Sequence, residues 1–112
     1  MDVKQLCDKL ELKILAGGKA LDKEVTGVYI CDLLSWVMAH AQKGDVWITV
    51  QTHTNVIAVA ALLELSAVII PEDIEVEAET LKKAEDENIP VLVSSQSAFR
   101  ISKALIEMGL GS

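Results

Sequence analysis

The chain has 112 residues, 51% of them hydrophobic and 24% charged, with a formal net charge of −7. That length predicts one domain, 1–112, able to bury a core without cross-links, and the two cysteines, Cys7 and Cys31, lack the CxxC spacing of a zinc or redox site. One Arg and nine Lys leave no basic face for a phosphate backbone, so nucleic acid is excluded as the expected partner.

Asp2 precedes Val3, Leu6, Cys7 and Leu10 at helical spacing, and Gln5 stands three residues after it, the form of a capping box. A first helix follows. Leu12–Leu15 alternates apolar with polar up to Gly17-Gly18 and predicts a short strand and a turn. Val25–Ile30 predicts a second strand, and Leu33–Ala41 a helix with Asp32 as its N-cap. Gly44-Asp45 marks a turn before a third strand, Val46–Val50. The polar loop Gln51-Thr52-His53-Thr54-Asn55 then leads into the apolar helix Val56–Leu65. A fourth strand is expected at Ala67–Ile70, a helix at Glu77–Glu87, a fifth strand at Val91–Val93 and a last helix at Ala98–Met108 ended by Gly109.

Strands alternating with helices predict parallel crossovers, and strands this rich in β-branched residues are expected to be buried on both faces. The fold class is therefore α/β: a three-layer α/β/α sandwich on a mostly parallel sheet of about four to five strands. Val56–Ile70, interrupted by Glu64 and Ser66, is shorter than the ~18 apolar residues of a membrane span, and the first residues are not those of a signal peptide. A cytoplasmic protein is expected, with both cysteines as buried thiols and no membrane partner. The acidic run Glu72–Glu87 is expected to be a solvated helix face and its flanks.

Ligands of parallel sheets collect beyond the carboxyl ends of the strands, where the N-termini of the following helices favour an anion. Two loops occupy such positions: Gln51, Thr52, His53, Thr54 and Asn55 after the third strand, and Ser94-Ser95-Gln96-Ser97 after the fifth. The same residue types are chosen for helix capping alone, with Thr54 or Asn55, and Ser97, as the caps. Both readings stand. His53 is the histidine in a candidate loop, while His40 is expected in solvent. No HxH, HExxH or CxxC pair supports a metal site, no cofactor is implied, and Gly17-Gly18-Lys19 lacks the GxxxxGK[ST] spacing of a P-loop. Trp36 and Trp47, without basic neighbours, are expected in the core or an interface.

Gly44-Asp45-Val46-Trp47-Ile48-Thr49, a polar loop, an apolar helix, Ala67-Val68-Ile69-Ile70 and then Asn88-Ile89-Pro90-Val91-Leu92 together resemble the DRTGG domain. Its lead-in is similar to Val3–Leu6 through Val25–Ile30. The resemblance implies a fold like that of the N-terminal domain of HPr kinase/phosphorylase without the P-loop kinase domain, so it supports no kinase activity. Members of the family appear as regulatory inserts beside CBS domains in a family of inorganic pyrophosphatases, in some phosphotransacetylases, and as small stand-alone proteins. This chain departs from the family at its name-giving loop, where Gln51–Asn55 contains neither the acid nor the arginine. No role of that charged pair carries over.

Two function classes follow. One is a non-catalytic regulatory or sensor domain, homodimeric, acting through a partner protein or a small anionic ligand such as a nucleotide. The other is a small enzyme using His53 as acid or base beside Thr52 and the Ser94-Ser95 pair, although a reaction needs several converging roles and these loops supply one titratable residue of the right kind. The homodimer rests on surplus apolar residues, since helices Leu33–Ala41 and Val56–Leu65 carry more of them than one sheet face can cover.

Overall fold

A computed structural model describes residues 1–110. In chain order these form α1 (Val3–Leu10), β1 (Lys13–Ala16), β2 (Gly27–Ile30), α2 (Leu34–His40), β3 (Asp45–Ile48), α3 (Thr54–Leu62), β4 (Ala67–Ile70), α4 (Ala78–Glu87), β5 (Val91–Val93) and α5 (Ala98–Glu107). One sheet runs β1-β5-β4-β3-β2. The β2, β3, β4 and β5 strands are parallel, with Val46 opposite Ala67 and Ile69 opposite Leu92, and β1 runs antiparallel along β5. This is the expected three-layer sandwich on a mostly parallel sheet.

The layers follow from side-chain period. Successive strand residues point to opposite faces, so Trp47, Val68, Ile70, Val91 and Val93 meet α2, α3 and α4 through Val37, Ile57, Ala60 and Ala84. Val46, Ile48, Ala67, Ile69 and Leu92 meet α1 and α5 through Val3, Leu6, Ile101 and Leu105. A strand buried on both faces needs apolar residues at every position, which β3, β4 and β5 have after Asp45. Burying each large side chain of this kind contributes about 1.5–3 kcal/mol.

Strands β2 to β5 are laid down in sequence order across the sheet, so the same right-handed crossover places α2, α3 and α4 on one face. The chain leaves β5 for the other face, where α5 joins α1. Adjacent strands β4 and β5 therefore feed helices on opposite sides.

Local chemistry sets several termini. The Asp2 carboxylate accepts from the Gln5 amide while the Gln5 side chain accepts from Asp2 N–H, the expected capping box. Ser97 caps α5 as expected. Asp32 does not cap α2: Leu33 holds that position without a side-chain bond, and Asp32 bonds instead to Thr49 and Val50, just past β3. The cap of α3 is His53 rather than Thr54 or Asn55, its Nδ1 accepting the Asn55 amide at 3.2 Å. Cys7 is buried, whereas Cys31 is only half-buried because β2 is an edge strand. Trp47 is fully buried and donates to Cys31 O at 2.8 Å, while Trp36 is exposed and stacks on His40 with ring centroids 4.2 Å apart. No helix among the described residues is long and apolar enough to cross a membrane.

Candidate functional site

The carboxyl ends of β2, β3, β4 and β5 form one edge of the molecule, and the four connections leaving them are cross-linked by hydrogen bonds. The first link is Asp32. Its Oδ1 accepts from Thr49 Oγ1 at 2.8 Å and from the Val50 amide at 2.9 Å, and the Asp32 carbonyl accepts from Gln51 Nε2 at 2.8 Å. Thr49 Oγ1 also accepts the Gln51 amide at 3.2 Å. The exits of β2 and β3 are thus held by a carboxylate bonded to a hydroxyl and an amide, the stronger class of hydrogen bond.

Beyond Gln51, the Thr52 carbonyl accepts from the buried Thr80 Oγ1 of α4 at 2.7 Å, and His53 turns the chain into α3. With Nδ1 accepting from Asn55, the neutral imidazole carries its proton on Nε2. His53 therefore faces outward as a donor, its basic lone pair spent on the cap. Thr54 Oγ1 lies 3.4 Å from the same Nδ1. Asn55 reaches a second feature, an apolar groove of about 310 Å³ between α2 and α3 lined also by Leu34, Met38, Val59 and Leu62.

Between β4 and β5 the following helices part to opposite faces, the position where parallel sheets open a ligand crevice. Here the chain closes it. The Glu72 amide donates to Gln96 O and the Asp73 amide to Ser94 O, each at 2.9 Å. Glu72 and Asp73 reach those partners in successive left-handed conformations, with φ of 57° and 52°, a strain that non-glycine residues adopt only when their surroundings fix it. Ser94 is buried, donating its amide to Ile70 O and accepting the Gln96 amide on Oγ at 3.0 Å, while Ser95 is exposed.

Gln51, Thr52, His53, Thr54 and Asn55 thus lie on the same edge as Ser94 and Ser95, with the acidic β4–α4 connection between the two groups. Asp32, Glu72, Asp73 and Thr80 also belong to this network and carry no site signal in the sequence. Asp32 had a cap's position, and nothing in Pro71-Glu72-Asp73 shows which carbonyls its amides meet. Among the described residues no group of three or more His, Cys, Asp or Glu side chains could hold a metal ion.

The DRTGG domain family model matches residues 5–108. No curated protein matches the chain in sequence. Among solved structures, the chain is similar to the CBS and DRTGG domains of the regulatory region of Clostridium perfringens pyrophosphatase complexed with its activator, diadenosine tetraphosphate, with a TM-score of 0.70 and 16% identity. That match covers 93% of this chain and 45% of the other, so the chain spans under half the length of the protein it matches.

Proposed function

The chain belongs to the DRTGG domain family, and from that premise we propose that it is a non-catalytic regulatory domain which binds a small anionic, nucleotide-like ligand at the start of α3 and works as a homodimer. The observation that carries this reading is the state of His53. An acid or base needs its lone pair free for the substrate, and His53 Nδ1 is committed to the Asn55 amide. What the loop offers is donors: Nε2–H of His53, the Thr52 hydroxyl, the second Nε2–H of Gln51 beyond the one given to Asp32, and the positive end of the α3 dipole. That set recognises an anion and leaves it unchanged. Of the two loops the β3–α3 one leads, because the exposed acids Glu72 and Asp73 are bonded to the loop of Ser94 and Ser95.

The similar pyrophosphatase region is described as complexed with a dinucleotide activator, which makes nucleotides the first probes. The dimer rests on Met38 and Leu62, exposed in the α2–α3 groove, and on Leu33 and Trp36, exposed at the start of α2. Clustered apolar surface of this kind marks a subunit contact, and a two-fold pair is the commonest closed arrangement. A partner protein seated on the same face is the alternative outcome. A thermal-shift series with ATP, diadenosine tetraphosphate and phosphorylated metabolites tests the ligand reading, since a binder at 100 times its Kd adds about 2.7 kcal/mol of stability. No stabilisation by any of them removes it.

A further inference from the structure

At the opposite end of the sheet, beside the amino ends of the strands, a cavity of about 620 Å³ opens between the β1–β2 link, the α2–β3 turn and the C-terminal ends of α3 and α4. Its size is that of a small-molecule site. Ala61, Leu65 and Ile89 give it an apolar wall. The floor is fixed by Ser66, 2% exposed, whose Oγ lies 2.5 Å from Glu24 O and 2.8 Å from Gly44 O and ties the link to the turn.

The charges around the mouth divide into satisfied and unsatisfied groups. Lys43 pairs with Glu64 at 3.0 Å, and Glu24 pairs with the Met1 ammonium at 2.7 Å. Two opposite charges remain. Lys23 Nζ donates to the Asn88 carbonyl at 2.8 Å and has no carboxylate within 4 Å among the described residues. Glu87, the last residue of α4, lines the same cavity and likewise has no cationic partner there.

We propose that this cavity binds a small zwitterion of amino-acid to dipeptide size, with its carboxylate on Lys23, its ammonium on Glu87 and its apolar body over Ala61, Leu65 and Ile89. Each end of such a ligand supplies the counter-charge that one side chain lacks, and the Lys23 ammonium keeps two N–H donors beyond the one given to Asn88. The C-terminal ends of α3 and α4 add partial negative charge around the cavity, which favours the ligand's ammonium. Burial lowers the Lys23 pKa from its ordinary value, with Asp22 opposing the shift, and an arriving carboxylate would favour the charged form further. The site is separate from the carboxyl-edge loops and stands or falls independently of them.

The test is an amide NMR titration of the full chain with L-phenylalanine, 3-phenylpropionate (no ammonium) and phenethylamine (no carboxylate), each to about 10 mM, above the millimolar Kd of a weak metabolite site. Phenylalanine is expected to shift the amides of Lys23, Gly44, Ser66 and Ile89, and each single-charge analogue to bind about tenfold more weakly, or about 1.4 kcal/mol. Glu87→Gln should erase the advantage over phenylpropionate, and Lys23→Met the advantage over phenethylamine. Glu87 is exposed and Lys23 half-buried, and the amide spectrum itself reports that the fold is kept. Absence of shifts at those amides, equal binding of the three compounds, or unchanged preferences in both variants overturns the proposal.

Discussion

Asp32 Oδ1 lies 2.8 Å from Thr49 Oγ1 and 2.9 Å from the Val50 amide, so one carboxylate at the end of β2 fixes where β3 releases its loop. Thr49 is 2% exposed and has no water to replace that partner. Asp32→Ala should cost about 2–3 kcal/mol by urea denaturation, the range for losing bonds to a charged acceptor and leaving a buried hydroxyl without its partner. Asp32→Asn keeps the acceptor oxygen and should lose about half as much. An unchanged midpoint for the alanine variant would show that the loop holds itself.

Gly17 tests the packing of β1 on the α4–β5 turn. Its φ is +72°, and an added Cβ would lie 2.3 Å from Ile89 O. Gly17→Ala should destabilise by about 3 kcal/mol or more through backbone clash and strain. Gly18→Ala, with its nearest contact at 4.0 Å and no positive φ, should stay within about 0.5 kcal/mol of the parent.

The two thiols should separate by rate. Cys7 is buried, and desolvation first, then the nearby Asp8, raise its pKa above the ordinary 9.0. A disulfide reagent should label half-buried Cys31 in the native chain and reach Cys7 only on unfolding. The sign for stability follows from proton counts. Above pH 9.0 the unfolded thiol has lost its proton while the folded one keeps it, so the unfolded state binds fewer protons and stability falls with rising pH. Below that pH the contribution is intact. Cys7→Ala should flatten this alkaline loss in urea melts recorded across pH 8–10; an identical slope contradicts the burial effect.

The proposed dimer is tested by light scattering on single charge insertions. Leu62 is 67% exposed beside the α2–α3 groove, and Met38 48% exposed, so Leu62→Glu and Met38→Glu should leave the fold intact and bring the mass to the monomer's 12.1 kDa. Val59 is 7% exposed, and Val59→Glu should unfold the chain rather than report on a contact, because it buries an unpaired charge. A parent chain already at the monomer mass removes the dimer.

The layers were legible because period and composition encode them. Trp47 and Val68 on one face, with Val46 and Ala67 on the other, can satisfy only a sheet covered on both sides, and the capping box at Asp2 and the Ser97 cap carry their own spacing signal. The identity of other caps was hidden, since Asp32 and Asn55 have capping chemistry but tertiary partners decide its use. The antiparallel placement of β1 beside β5 lies beyond local pattern, because pairing across such a sequence separation leaves no trace in either strand. The candidate loops were visible as polar clusters after strands. Their closure by the Glu72 and Asp73 amides was not, because backbone donors have no sequence signature.

Recognition of an anion at the carboxyl edge without its transformation can be read in one experiment, an amide NMR titration with diadenosine tetraphosphate while phosphorus NMR follows the ligand. Saturable shifts are expected at the amides of Gln51 to Asn55, smaller ones at Ser94 to Gln96, loss of both in Asp32→Ala, and a ligand spectrum that does not change with time. Shifts confined to other parts of the molecule, or new phosphorus signals from turnover of the ligand, would contradict it.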